Sequence, residues 1–583
     1  MSYDQRTNHP PWMAAIVLLA TLLLVACGGN EPASKGSPSP APVAQPTVPD
    51  KSGPAWESAW DGTESTVPVI DYPIEGSVFP PDFTPPTFLW HDDTVGADAW
   101  KATVEFADGG EPVSQVVPGS PPEPGETDET VFGPTNEVWE GTPYQRSARA
   151  WTPSADLWKE IQRRSVESPA VLSFEGFAKA KPDAMLSRAE ATFSTSTDPV
   201  GAPIMYRDVP LMPAEGEDGR ISPLARSSIG VIGWRLRDVS RPDSKLLLTD
   251  MPTCANCHSF SQDGKTLGMD VDGPLGDKGA YAIAPLDETT VIGKDEVLTW
   301  NSFQDKPEGH RTIGFLSRIS PDGSHALSTL NESLYVQNFT DYRFLQVFYP
   351  TRGILGWYSK ESGEIKALPG ADDTDYVHCS PVWYPDGKEI VFARAKAFDP
   401  YPPGRPRATY SGDPNEPRIQ FKLYRMPFNE GRGGTPVPIE GASHNGMSNT
   451  FPKISPDGKW LVVTRCENGL LMRPDGRLWI MPAKGGPARE MNCNTPLMNS
   501  WHSFSPNSRW MVFSSKSNTP YTQMFLTHID EEGNDTPPIL IPNSTAANRA
   551  VNLPEFVNRP YTQFNAIDVP AVDHHKLLYD GLD

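Results

Sequence analysis

Ile454-Ser-Pro-Asp-Gly-Lys459, running straight into Trp460-Leu-Val-Val-Thr464, is a tight turn followed by an apolar strand. The proline presets φ, the aspartate bonds back to the backbone and the glycine accepts φ > 0. The same theme returns as Phe260-Ser-Gln-Asp-Gly-Lys265, Ile319-Ser-Pro-Asp-Gly-Ser324, Tyr384-Pro-Asp-Gly-Lys388 and Phe504-Ser-Pro-Asn-Ser-Arg509. Each copy feeds an apolar run: Thr266-Leu-Gly-Met269, His325-Ala-Leu-Ser328, Glu389-Ile-Val-Phe-Ala393 and Trp510-Met-Val-Phe-Ser514. The copies start about 50–70 residues apart, which is room for a four-stranded blade with insertions.

This core, an apolar residue followed by Ser-Pro-Asp-Gly-Lys, resembles the repeat of the TolB-like, WD-like β-propellers. The resemblance covers roughly residues 200 to 583 and implies a propeller, of six blades if the family's usual number holds. Five copies are visible; the sixth blade is expected from the 205–250 segment joined to the C-terminal segment, which would close the ring.

Working toward the N-terminus, residues 61–197 carry short β-forming runs such as Pro86-Thr-Phe-Leu-Trp90, Lys101-Ala-Thr-Val-Glu-Phe106 and Ala170-Val-Leu-Ser-Phe-Glu-Gly176. Turn residues separate them, and one short helix is expected over 155–165. This looks like a small β-sandwich of immunoglobulin or fibronectin type. The fold class is therefore all-β, a sandwich followed by a propeller over 198–583. Residues 28–60 are rich in Pro, Ser, Ala and Gly and read as a disordered tether. Met13 to Val25 is an apolar run too short to span a bilayer comfortably and reads as a signal h-region. It ends in Leu24-Val-Ala-Cys-Gly28, which resembles a bacterial lipobox. That resemblance implies cleavage before Cys27, lipid on its thiol and a membrane anchor. The expected location is the bacterial cell envelope, at the periplasmic face or the outer membrane.

The chemistry sits in Cys254-Ala-Asn-Cys-His258. C-x-x-C-H is the attachment motif of a c-type haem. Cys254 and Cys257 would form the two thioethers, and His258 would be the proximal iron ligand. Aligned on the turn serine, Cys257-His258-Ser-Phe-Ser261 lies over Trp501-His502-Ser-Phe-Ser505. The motif therefore belongs to a propeller repeat and not to an inserted helical cytochrome domain. His502, at the matching position, is the first candidate for a sixth ligand, followed by His378 and by His444 or Met447. Met269 is expected on the following strand, and an open sixth site is an equal alternative. A structural disulfide between Cys254 and Cys257 and a thiolate zinc site are the competing readings, but no second C-x-x-C supplies further zinc ligands.

Three cysteines remain. Cys466 and Cys493 are a tentative disulfide across one blade, with buried free thiols as the alternative, and Cys379 is left unpaired. Asp270-Val-Asp-Gly-Pro-Leu-Gly-Asp277 has carboxylates at calcium-ligand spacing without the full loop pattern, and solvated turn acids are the better reading.

The formal net charge of −23 excludes nucleic acid as a partner. No G-x-S-x-G nucleophile elbow is present, which argues against a hydrolase. The expectation is a lipid-anchored propeller with one covalent haem c, acting in electron transfer or redox chemistry, with a redox or envelope protein as partner. A haem-dependent oxidoreductase is a narrower version. The alternative is a non-haem interaction scaffold at the membrane surface.

Overall fold

A computed structural model describes residues 68–570 apart from 133–135, 167, 212–213, 216–220, 223–229, 252–254, 274–276 and 340–341. The signal segment, Cys27, the tether and Cys254 lie outside the described residues.

Apolar residues bury one face of Ser77–Phe79 and of the last part of Lys181–Thr195, and the chain forms two sheets there. Val69–Tyr72, Phe88–His91 and Arg149–Trp151 make a three-stranded antiparallel sheet. Ser77–Phe79, Lys181–Thr195, Ala170–Ala178, Ala99–Glu105 and Val113–Val117 make a five-stranded one. The edge pair of Ser77–Phe79 with Lys181–Thr195 is parallel. Trp90 of the first sheet stacks on Phe174 of the second, ring centroids 3.9 Å apart. The expected helix is Ala155–Arg164, capped by the Ser154 hydroxyl, which accepts from Leu157 N. Its Trp158 closes the aromatic core and donates to the Phe83 carbonyl. This strand order does not by itself assign an immunoglobulin or fibronectin type.

Among the described residues the rest of the chain forms two two-stranded pairs, Ala214–Glu215 with Ile221–Ser222 and Thr289–Val291 with Ala566–Asp568, and six four-stranded blades. The first takes its innermost strand, Arg549–Phe556, from the end of the chain and pairs it with Ile204–Pro210, then Gly233–Arg237 and Ser244–Leu248. Blades two to six begin with Ala255–Phe260, Phe315–Ile319, Tyr376–Trp383, Ser448–Ile454 and Ser500–Phe504 and run outward in chain order. Blades three and four are also joined by one bridge, Gly353 to Val377. Successive inner strands touch, and Arg549–Phe556 touches both Ser500–Phe504 and Ala255–Phe260, so the ring is closed by the C-terminal strand as expected. The first blade has no copy of the turn motif because its inner and second strands are not consecutive in the chain.

The turn works as its sequence implies. The Ser455 hydroxyl accepts from Trp460 N and donates to Asp457 Oδ1 at 2.5 Å. Asp457 Oδ1 also accepts from Lys459 N, and Gly458 has φ 74°. Ser261, Ser320 and Ser505 repeat the pattern with Asp263, Asp322 and Asn507. In the fourth blade Tyr384 replaces the serine and its hydroxyl reaches the Ala483 carbonyl of the next blade at 2.6 Å.

Candidate functional site

Four residues before the turn, five of the six inner strands place a non-glycine residue in the left-handed region: Leu316, Ser380, Phe451, Trp501 and Leu553, with φ between 49° and 57°. A bulge of this kind re-aims the side chains that follow it. Cys257 holds the matching position in the second blade. Three residues before the turn stand His258, Ser317, Pro381, Pro452, His502 and Pro554. Two residues before it stand Ser259, Arg318, Val382, Lys453, Ser503 and Glu555.

Three of the last set meet at the ring axis. Arg318 from the third blade, Lys453 from the fifth and Glu555 from the first form one ion cluster, a meeting of alternate blades that only the axis allows. Arg318 Nη1 lies 2.6 Å from Glu555 Oε1, and Lys453 Nζ contacts the same oxygen. Arg318 also donates to the His258 carbonyl at 3.3 Å. Burial alone would raise the Glu555 carboxyl, but the Lys453 and Arg318 charges overcome it and hold the group at about 2. Burial, helped by Arg318, brings Lys453 down to about 8 against the pull of Glu555.

Cys257 lies beside this cluster as a half-buried free thiol. Burial pushes the thiol up, reinforced by Asp270 and opposed by Arg318 and Arg207. Asp270 is itself lifted to about 7 by burial, against hydrogen bonds from Ser317 and Cys257.

His258 does not face the channel. Its ring is 2% exposed and wedged into the seam with the first blade, where Nε2 donates to the Met205 carbonyl at 3.3 Å. His502 repeats this arrangement in the sixth blade, donating from Nε2 to Val462 O of the fifth at 3.1 Å. Burial takes His258 to about 4 and His502 to about 3, so both are neutral. In both rings Nδ1 is buried without a partner.

The candidate sixth ligands are not brought together with His258. Equal rank in the repeat places His502 in an equivalent seam, with the first blade between the two histidines. His378 is fully buried in the fourth blade between Tyr376 and Phe392, with both ring nitrogens unpartnered. His444 is exposed on the loop leading to the fifth blade, with Met447 after it. Met269 is buried on the strand beside His258, as expected.

One further expectation is corrected. Cys466 and Cys493 are buried free thiols and not a disulfide. Cys466 ends the second strand of the fifth blade and Cys493 lies beyond the fourth, with Arg477–Pro482 between them. Two strand spacings, about 10 Å, exceed the roughly 7 Å that a disulfide can bridge. The three aspartates of the calcium pattern diverge. Asp270 turns to Cys257, Asp272 pairs with Lys278, and Asp277 accepts from Thr299 and Asn301. Among the described residues no group of three metal-ligating side chains forms.

The donor set suits a covalently attached haem: a free thiol at Cys257 and, next to it, an imidazole with one orphaned nitrogen. The orientation suits it less well, because His258 Nε2 is held by Met205. Iron ligation through Nε2 requires that side chain to leave the seam.

Sequence reading missed the Arg318–Lys453–Glu555 cluster and Arg207. A detectable signal existed for the cluster, since charged residues recur two places before the turn in otherwise apolar strands.

No known family and no curated protein matches this sequence. Among solved structures the chain is similar to an oligogalacturonate lyase in complex with manganese, at 14% identity over 57% of this chain and 73% of that one, TM-score 0.31. It is similar to a putative 6-phosphogluconolactonase from Bacteroides uniformis, at 13% identity over 65% and 94%, TM-score 0.29. It is also similar to the β-propeller domain of Cps50 from Myceliophteria thermophila, at 10% identity over 50% and 89%, TM-score 0.27. Likeness this distant carries no functional argument. The chain is a six-bladed β-propeller behind a two-sheet domain on the strength of its own strand order and ring closure.

Proposed function

We propose that this chain is an exported, lipid-anchored β-propeller of the bacterial cell envelope that carries one covalent haem c and serves electron transfer or redox chemistry there. One observation carries the reading: C-x-x-C-H stands where a propeller strand begins, and among the described residues its second cysteine is a free thiol. Cys254 and Cys257 hold the group by adding their S–H bonds across its two vinyl groups, which needs no oxidant. When bound, the haem supplies a one-electron couple. The protein's part is to retain it covalently, to offer His258 to the iron once the ring leaves Met205, and to set the charge around it through Asp270 and the axial ion cluster. The apolar leader and Cys27 support the envelope location.

A second reading rests on His258 itself. It packs as His502 does, and His502 belongs to no attachment motif, so both can be read as clamps between blades in a haem-free interaction scaffold. A reduced pyridine haemochrome spectrum separates the two. The full-length protein is matured in a host with a c-type maturation apparatus beside Cys257→Ala. A c-type band in wild type that the variant lacks supports the first reading. No covalent haem, while a control cytochrome matures in the same cells, leaves the scaffold.

A further inference from the structure

Arg207 lies on Ile204–Pro210, two residues from the Met205 carbonyl that receives His258, and is 3% exposed. Its Nε and Nη2 are buried with no hydrogen-bond partner. The other buried arginines among the described residues are all engaged: Arg237 and Arg465 by carbonyls, Arg473 by Glu416 and Arg549 by Asp208. Burying two N–H groups of a guanidinium without acceptors is costly. The Trp234 ring, 5.8 Å away, is at the limit of a cation–π contact and does not replace two hydrogen bonds.

The two orphaned groups are chemically specific. Nε–H and Nη2–H lie along one edge of the guanidinium plane and point the same way, the fork that binds a carboxylate through both oxygens. Cys257 is close enough that its charge and that of Arg207 act on each other. The charges around the thiol lean positive. Arg207, Arg318 and Lys453 act on it, while Glu555, which pairs with Arg318 and Lys453, is the one carboxylate there that stays firmly ionised, since Asp270 is easily protonated.

We propose that the free edge of Arg207 holds a carboxylate beside Cys257. Two sources share that chemistry: a propionate of a haem attached at Cys254 and Cys257, which rests on the function proposed above, or a free small carboxylate, which does not.

The test compares full-length wild type, Arg207→Gln and Arg207→Lys in two preparations. In the matured preparation, haem content is read by pyridine haemochrome and the midpoint potential is followed against pH. The propionate arm expects unchanged haem content in Arg207→Gln. It also expects the pH at which the potential begins to fall to move up by about half a unit or more, because a carboxylate without its guanidinium is harder to ionise. In protein made without maturation, sodium acetate is the probe. The free-carboxylate arm expects acetate to raise the melting temperature of wild type and not of Arg207→Gln. Arg207→Lys keeps the charge without the fork, is expected between the two in either arm, and stands in if Arg207→Gln does not fold. If wild type takes no haem but the acetate effect depends on Arg207, this proposal stands and the haem reading falls. If haem is attached, and neither the pH profile nor the acetate response depends on Arg207, the proposal is overturned while the haem reading remains.

Discussion

Glu555 is the one acid between two buried cations, and its removal has a definite sign. Glu555→Gln leaves Arg318 and Lys453 buried without their common partner, a loss of about 3–5 kcal/mol for breaking a buried pair. Chemical denaturation should show a lowered midpoint of that order, and a change below about 1 kcal/mol would mean that the cluster is solvated in practice. The histidines make a second prediction at this scale. Burial holds His378 at about 4 and His502 at about 3, below the roughly 6.5 of an unfolded imidazole. Folded pKa values below the unfolded one mean that stability is complete above about pH 6.5 and is lost as pH falls toward 4 and then 3, because only the unfolded chain takes up the protons. Melting temperature should fall on acidification through this window, and His502→Gln should flatten the slope; an equal slope in the variant removes His502 from the account. The sequence made the rank of His258 and His502 legible. It did not reveal where their rings point; for His502 that depends on the left-handed residue before it, and Trp501 is an unexpected residue in that conformation.

The repeated turn is where sequence and structure agree most closely, because every part of it is local. Serine, aspartate and glycine lie within four residues of each other, and their hydrogen bonds follow from composition and spacing. Asp457→Ala removes the acceptor for Lys459 N and for the Ser455 hydroxyl, and should cost about 1 kcal/mol, within the range for one or two partly exposed hydrogen bonds. Thermal melting checks this, and Asp457→Asn, which keeps the acceptor oxygen, should recover most of the loss. Between strands the sequence says less. Cys466 and Cys493 fall within one blade's length of sequence, which suggests a bridge. Their separation is set by how many strands lie between them laterally, which the interval along the chain does not report.

At the scale of the whole molecule, the closing of the ring by the C-terminal strand was readable, since it follows from the count of repeats. The seam between the domains was not. At the junction itself, Asp198 accepts from Trp510 Nε1 through its carbonyl at 2.9 Å and its carboxylate lies 2.8 Å from His528, and across the seam Leu540 N donates to the Tyr72 hydroxyl. Arg549 of the closing strand pairs with Asp128 at 2.7 Å. Partners more than 300 residues apart leave no periodicity to read. The same cluster of buried apolar side chains runs from Trp158, Phe193 and Val200 into Trp510, Val512 and Leu526 of the sixth blade. A shared core makes each domain lose buried surface when the other unfolds, so calorimetry of the mature chain should give one transition and not two. Trp510→Ala empties the centre of that seam, at about 3–5 kcal/mol for a buried tryptophan. If the seam is what couples the domains, the variant should split the transition, with the two-sheet domain melting first because it has the smaller core of its own. A wild-type trace that already shows two transitions would mean that the domains fold independently, and the melting of the propeller would then be set by its ring closure alone.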